Sequence, residues 1–405
     1  MGVSQPTRQP NLHRARSLME EAGVDALLAV GARNVYYLSG LESDWLFDVP
    51  MVAAAILPFD EAKPATLIVH DVELSSLAER PSWMPGLKVY RAEVCGETFA
   101  HYTVGEDSLD ARERQITDLM AQTDADAASG LVPAIKQCLI ELGLEKAQIA
   151  SDEPRLGPIL ARDLPALHIR DESALFRRIR LVKTDAEITL MREAARRNHA
   201  ALADTLGMIR PGVTWQEIER AYAIALAQRD CRFASFYVGA GRRSGGLQAH
   251  GNYEVQTGDQ ACFDAMMTFH HYHADMQRTA VLGTPSGKVA RYWNALSKGV
   301  EAAYDAMGPN VSTAELRRIA LDVVRSNGIA DFRHAFVHGL GLDHIELPLD
   351  SAGFPNFVLE PGMIVNMDME VCEIGFGGIY FEDSMLITAT GAEPLLASPW
   401  ALIHL

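Results

Sequence analysis

The chain has 405 residues, 48% of them apolar and 22% charged, which excludes a disordered polypeptide and allows a sizeable core. Its 53 acidic and 36 basic residues give a formal charge of −17. That balance argues against a nucleic-acid partner or an anionic membrane surface, both of which need clustered Lys and Arg.

The length suggests two or three domains at about 150 residues each. The first stretch, to residue 172, alternates helix and strand. Asn11 caps a helix running to Glu21 and ended by Gly23. Buried-strand patterns follow at Asp25–Val30, Met51–Leu57, Ala65–Val69 and Leu87–Tyr90, then helical stretches at Leu109–Ala121 and Gly130–Gly143. This is an α/β domain over residues 1–172, with no nucleotide fingerprint. A locally basic junction, Asp171–Lys183, leads into a second domain over 173–405. Thr184 with Glu187 and Thr214 with Glu217 are capping boxes that open two helices. Val289–Met307 and Thr313–Asn327 read as two more. Strand-like runs lie at Gln260–Met267, Ala274–Leu282, Gly362–Cys372 and Gly378–Thr388. Two helix pairs interleaved with two sets of strands suggest an internal duplication. The Gly-rich segment Gly239–Gly246 lacks a GK[ST] ending and reads as a surface or site-rim loop.

The five cysteines, Cys95, Cys138, Cys231, Cys262 and Cys372, are scattered and never form a CxxC pair. A disulfide framework and a thiolate zinc site are therefore not expected. The N-terminal residues lack an apolar signal region, Pro6 breaks the myristoylation pattern, and no apolar run approaches the roughly 20 residues of a membrane helix. The expectation is a reduced, cytoplasmic protein.

Chemistry concentrates in the second half. Asp264 lies inside an apolar strand pattern, where a carboxylate is costly unless paired or metal-bound. Asp275 follows eleven residues later, and His271, His273 and Asp275 share one face of an extended chain. Two strands joined by a short turn bring the two aspartates together. His338 is followed by Gly339 and Gly341, which let backbone approach a buried imidazole or ligand, and then by His344 and Glu346. Asn366, Asp368 and Glu370 alternate with Met367 and Met369, and Glu382 with Asp383 sits among apolar residues. Each segment alone reads equally as an amphipathic strand or a satisfied core histidine. Together, Asp264, Asp275, His338, Asp368 and Glu382 form an oxygen-rich set with one imidazole, suited to divalent Mn, Co, Fe or Zn. Four carboxylates balance the charge of two such ions, and a two-metal site activates water.

These segments resemble the pita-bread metallohydrolases, namely methionine aminopeptidase, aminopeptidase P, prolidase and the metal-free relative creatinase. The matching motifs are FD…HADMQRT, VHGLGLDHIELP, EPGMIVNMD and GGIYFED, with KTDAE, PGVT and NVYYLSG also similar. The resemblance implies a creatinase-like α/β N-terminal domain and an α+β pita-bread domain with a curved, mostly antiparallel sheet and outer helices. It implies that Asp264 binds one ion, that Asp275 and Glu382 bridge two, and that His338 and Asp368 hold the second. It places His250 against substrate as a proton donor; His338, His344 and Glu346 are the further catalytic candidates.

Four departures bear on substrate. Asp368 stands where the family has Glu, with Glu370 on the same face. Met266 replaces a small residue and narrows the pocket. Ile345 stands where the turn's second histidine is usual, with His344 one place earlier. Tyr380 replaces an arginine that anchors peptide substrates. The resemblance implies a metal-dependent hydrolase of a C–N bond, an Xaa-Pro dipeptidase or aminopeptidase by default. A hydrolase of a small non-peptide amide or amidine, a small-molecule lyase and a metal-free binding protein are the alternatives. Family members are usually homodimers in which the N-terminal domain reaches the partner's site, so Asp44, Trp45 and Phe47 of the SDWLFD loop are candidates for that reach. Trp45, Met266, His273, Glu370 and Tyr380 are the candidate contacts to a dipeptide or other small substrate.

Overall fold

A computed structural model of the chain describes residues 9–91, 93–94, 97–98, 104–123, 127–246, 252–347, 356–398 and 400–405. Its contacts divide the chain into two compact units, Met1–Ile179 and Arg180–Leu405.

The first unit contains, in order, α1 (Leu12–Ala22), β1 (Ala26–Ala29), α2 (Ala32–Ser39), α3 (Asp44–Asp48), β2 (Ala53–Pro58), β3 (Thr66–His70), α4 (Leu74–Glu79), β4 (Gly86–Tyr90), β5 (Glu93–Val94), β6 (Glu97–Thr98), α5 (Ala111–Thr123), α6 (Leu131–Glu141), β7 (Gln148–Ser151), α7 (Leu156–Leu160), β8 (His168–Asp171) and the start of α8 (Ser173–Leu181). Asn11 caps α1, its side chain accepting the Arg14 N–H at 3.1 Å, and Gly23 closes the helix at φ 62°. Six strands form one mixed sheet in the order β4-β3-β2-β1-β7-β8, with the pairs β1–β2 and β2–β3 antiparallel and the others parallel. β8 has no buried residue, so it leaves no apolar run in the sequence. The SDWLFD segment is helix rather than loop: Ser43 caps α3 by accepting the Leu46 N–H, and Leu46 is buried. Trp45 is half-buried, its ring edge-on to His70 at 5.3 Å, and Phe47 meets Tyr36 at 6.0 Å.

The second unit continues with α9 (Asp185–Leu206), α10 (Trp215–Ala227), β9 (Arg232–Ala240), β10 (Gln260–Phe269), β11 (Tyr272–Val281), α11 (Gly287–Ala306), α12 (Thr313–Ser326), β12 (Ala335–Gly339), β13 (Ile364–Glu373), β14 (Gly377–Phe381), β15 (Ser384–Ile387), β16 (Ala392–Pro394) and β17 (Ile403–His404). Both capping boxes form. Each threonine hydroxyl accepts the glutamate N–H at 3.3 Å, and each glutamate accepts the threonine N–H, at 2.8 Å in one box and 2.9 Å in the other. One sheet runs β17-β11-β10-β9; the other runs β12-β13-β15-β16, with β14 also on β13. A bridge between Gln277 and Glu382 joins them. Helices α9 and α10 pack on the first sheet and α11 and α12 on the second, so the helix-pair-and-strands unit occurs twice. Met367 and Met369 point into the core with Leu296, Val300, Leu316 and Val324. That leaves the opposite face of β13 for Asn366, Asp368 and Glu370.

Two segments differ from their sequence pattern. The run Gly378–Thr388 is not one strand. It breaks at Glu382–Asp383, where the Tyr304 hydroxyl donates to the Asp383 carbonyl at 3.0 Å and accepts the Asp383 N–H at 3.1 Å. Arg278 donates to the Glu382 carbonyl at 2.8 Å and to the Asp383 carboxylate at 2.9 Å. The Gly239–Gly246 segment ends β9 and turns inward, with Gly241 and Ser244 buried. Glycines of β14 make room for it: a Cβ on Gly377 would lie 2.2 Å from the Gly241 carbonyl oxygen, and the Gly378 N–H donates to Ser244 Oγ at 2.9 Å. Among the described residues no helix is long and apolar enough to cross a membrane.

Candidate metal centre

The β10–β11 hairpin is in register from Gln260 opposite Val281 to Phe269 opposite Tyr272. His270 and His271 form its two-residue turn with φ of 46° and 66°, the geometry that matches strand twist. His271 therefore leaves the expected face, and only His273 and Asp275 share it. Residues directly opposite in an antiparallel pair share a face. Asp264 is opposite Gln277 and Asp275 is opposite Met266, so the two aspartates are diagonal neighbours on one face.

The second sheet supplies the rest. His338 sits on β12, Asp368 on β13, and the break between β14 and β15 presents Glu382. His338 Nε2 is 3.3 Å from Asp368 Oδ1 and 3.4 Å from Glu382 Oε1. His344 Nε2 is 2.8 Å from Asp275 Oδ2. Three overlapping donor groups result: Asp264–Asp275–Glu382, His338–Asp368–Glu382 and Asp275–His338–His344, each with its ligand atoms within 4.8 Å of one another. Four atoms of this cluster, Asp264 Oδ1, Asp275 Oδ1, His338 Nε2 and Asp368 Oδ1, are buried without a hydrogen bond. Buried polar atoms are ordinarily satisfied. Four unsatisfied donor atoms in one oxygen-rich cluster fit a divalent cation.

The electrostatics agree. Burial raises the carboxyls of Asp264, Asp275 and Asp368 well above the ordinary value, and neighbouring carboxylates push further: Asp275 on Asp264, and Glu382 on Asp275 and Asp368. Burial opposes charge on His338, yet Asp368 and Glu382 hold its imidazolium well above 6.5. Burial would also raise Glu382, but His338, Asp368 and the Asn366 amide, which donates to its Oε1 at 2.6 Å, hold it down at about 2. The raised carboxyls and the His338 imidazolium mark a place where added positive charge is favoured.

The other sequence candidates are placed as follows. Glu346 is outside the three donor groups. It is fully buried and accepts from Arg180 Nε at 3.0 Å, Lys183 Nζ at 2.9 Å and the Leu342 N–H at 3.2 Å. Burial alone would raise its carboxyl, but Lys183 and Arg180 lower it to about 2. It anchors the His338 turn from beneath. A Cβ on Gly341 would lie 2.7 Å from Glu346 Oε2, which is why glycine stands there. His344 reaches the cluster even though Ile345 occupies the position before Glu346; burial and the nearby His338 lower its pKa to about 4. The His273 N–H donates to the Gly341 carbonyl at 2.8 Å, tying the turn to β11.

Met266 is buried opposite Asp275, its sulfur 3.5 Å from Ser235 Oγ. Glu370 accepts from Gln277 Nε2 at 2.8 Å and lies 3.4 Å from His334, outside the donor groups. Tyr380 is fully buried on Cys262, with its hydroxyl 2.8 Å from Cys372 Sγ. Trp45 packs within the first unit, as described above. His250 lies outside the described residues. Sequence reasoning missed Arg278 and Lys183 as supports of the site, because their partners Asp383 and Glu346 are 105 and 163 residues away.

The antiparallel strands thus gather four carboxylates and two imidazoles, with donor atoms left unsatisfied, into a cluster that could hold a metal ion. The chain belongs to metallopeptidase family M24: residues 189–389 match that family's model, and residues 11–182 match the Creatinase/Prolidase N-terminal domain. It is 22% identical over 390 residues to an Xaa-Pro dipeptidase of Pyrococcus furiosus, covering 95% of this chain and 97% of that one. A probable dipeptidase PepE of Mycobacterium tuberculosis is 31% identical over 255 residues, 61% of this chain and 64% of its own. A solved Xaa-Pro dipeptidase from Bacillus anthracis shares the fold, with a TM-score of 0.75 at 21% identity over 98% of this chain and 99% of that one. The expected architecture, a creatinase-like α/β domain followed by a pita-bread domain, is the one observed.

Proposed function

We propose that the chain is a metal-dependent hydrolase that cleaves the peptide C–N bond of Xaa-Pro dipeptides. The observation that carries this reading is the cluster of buried, unsatisfied donor atoms on Asp264, Asp275, His338 and Asp368 in a chain of family M24. Asp264, Asp275 and Glu382 would hold one divalent ion, and His338, Asp368 and Glu382 the second, with Asp275 and Glu382 shared. Those two and His338 each belong to two donor groups, and of the three only the carboxylates carry a second oxygen with which to bridge. Mn, Co, Fe and Zn all suit this donor set. Such ions, when bound, lower the pKa of a water and polarise the scissile carbonyl.

The chain's own residues prepare that chemistry. Asn366 and Arg278 fix Glu382, one through its carboxylate and one through its carbonyl. Met266, beside Asp275, limits the size of what lies over the aspartates. His250 is assigned the contact to substrate and the proton to the leaving amine; a titratable imidazole suits that work near neutrality. A cytoplasmic homodimer in which Trp45 of each protomer reaches toward the partner's site completes the reading.

The test is hydrolysis of a panel of Xaa-Pro dipeptides by chelated protein reloaded separately with Mn, Co, Fe and Zn. Turnover restored by at least one ion is expected; no turnover with any ion overturns the assignment. One observation favours a second reading, a small non-peptide amide or amidine. Tyr380, where an arginine would anchor a peptide, is neutral and fully buried with its hydroxyl turned to Cys372. Turnover of a cyclic amide without turnover of any Xaa-Pro dipeptide would establish it.

A further inference from the structure

We infer that His344 is itself a metal donor in this chain, so that the second ion is held by two imidazoles together with Asp275, Asp368 and Glu382. The inference rests on the metallohydrolase reading and goes further, because it predicts which ions the centre prefers. An ion about 2.0–2.2 Å from each donor sets adjacent donors roughly 3–3.5 Å apart. The distances from His338 Nε2 to Asp368 and Glu382, 3.3 and 3.4 Å, fall in that range. His344 Nε2, at 2.8 Å from Asp275 Oδ2, needs to open by only a few tenths of an ångström to join them.

The turn that carries His344 cannot slide. Glu346 is locked by Arg180 and Lys183, the Gly339 and Glu346 backbones pair in a bridge, and the His273 N–H holds the Gly341 carbonyl to β11. With the turn anchored, Ile345 is left 37% exposed, and the residue two places before the anchor is the one that meets Asp275. Asp368 is one methylene shorter than the glutamate that the resemblance places there, which leaves room for a further donor. Carboxylate-rich sites suit Mn, whereas added imidazole favours Zn and, by the general affinity order, Co. This centre should therefore prefer Zn and Co to Mn, and His344 should be the source of that preference.

The experiment is calorimetric titration of the chelated full chain with Zn, Co and Mn separately, on the wild type, His344→Ala and His344→Asn, with the visible absorption of the Co-loaded forms recorded alongside. The wild type should bind two ions per chain. His344→Ala should bind the second Zn or Co at least about tenfold more weakly, change the Co absorption, and lose most of the preference over Mn. His344→Asn, which keeps a polar side chain, guards against a packing effect and should show the same loss. Two ions bound with unchanged affinity and spectrum in both variants would overturn the inference while leaving the metallohydrolase reading intact. A wild type that binds no ion would overturn that reading as well.

Discussion

Replacing Asp275 with Asn should make the metal-free protein more stable and the metal-loaded protein less so. Asp275 is buried, its Oδ1 has no hydrogen bond, and burial, with Glu382 adding to it, raises its carboxyl well above the ordinary value. At pH 8 the metal-free wild type either keeps a charge beside other carboxylates or holds a proton against the solvent. Asn removes both costs at nearly the same shape, and its amide can donate to the neighbouring oxygens. The gain should be about 1–3 kcal/mol. At roughly 2–4 °C per kcal/mol for a domain of this size, the thermal midpoint should rise by about 2–12 °C. With ions present at about one thousand times the dissociation constant, the wild type gains about 4.1 kcal/mol that a variant unable to bridge them forgoes, more than the whole advantage of the metal-free variant. The order of stabilities should therefore invert on adding metal. Calorimetric scans of both proteins, chelated and reloaded, measure it. A metal-free variant no more stable than the metal-free wild type would refute the reasoning.

Further outcomes follow from the supports of the site. Lys183→Met removes one partner of a fully buried carboxylate while Arg180 remains, so denaturant unfolding should show a loss of about 3 kcal/mol, the lower end for a broken buried pair. Glu346 is lowered to about 2 from 4.5, so its contribution is present above about pH 4.5 and lost as pH falls toward 2. The stability difference between wild type and Glu346→Gln should accordingly be flat above pH 5 and shrink below 4.5. Asn366→Ala removes the 2.6 Å donor to Glu382 and should weaken metal binding by about 10–100-fold, read by titration, while the fold persists. Gly341→Ala places a Cβ 2.7 Å from Glu346 Oε2 and should cost about 1–3 kcal/mol in thermal unfolding.

Much of the centre was legible because a charged residue inside an apolar strand is conspicuous. Asp264, Asp275, Asp368 and Glu382 each sit in such a setting, and alternation alone put Asn366, Asp368 and Glu370 opposite Met367 and Met369. The capping boxes at Thr184 and Thr214 were legible because both partners lie within four residues. What escaped depends on distant partners. The two cations that hold Glu346, Arg180 and Lys183, lie at the start of the second unit, and nothing local in the sequence announces them. The break at Glu382–Asp383 is imposed by Arg278 and Tyr304, 105 and 79 residues earlier. The inward turn at Gly241–Ser244 exists because Gly377 and Gly378 leave room for it. In SDWLFD the helix is only five residues long, too short for periodicity to show, although Ser43 was available as its cap.

The account stands most directly on a metal titration followed by activity. Chelated wild-type protein is given Co or Zn in increments, and hydrolysis of an Xaa-Pro dipeptide is recorded at each ratio of ion to chain. The account predicts no turnover without metal and a rise that levels off at two ions per chain. Full turnover in the chelated protein, or a rate indifferent to added ion, would contradict it.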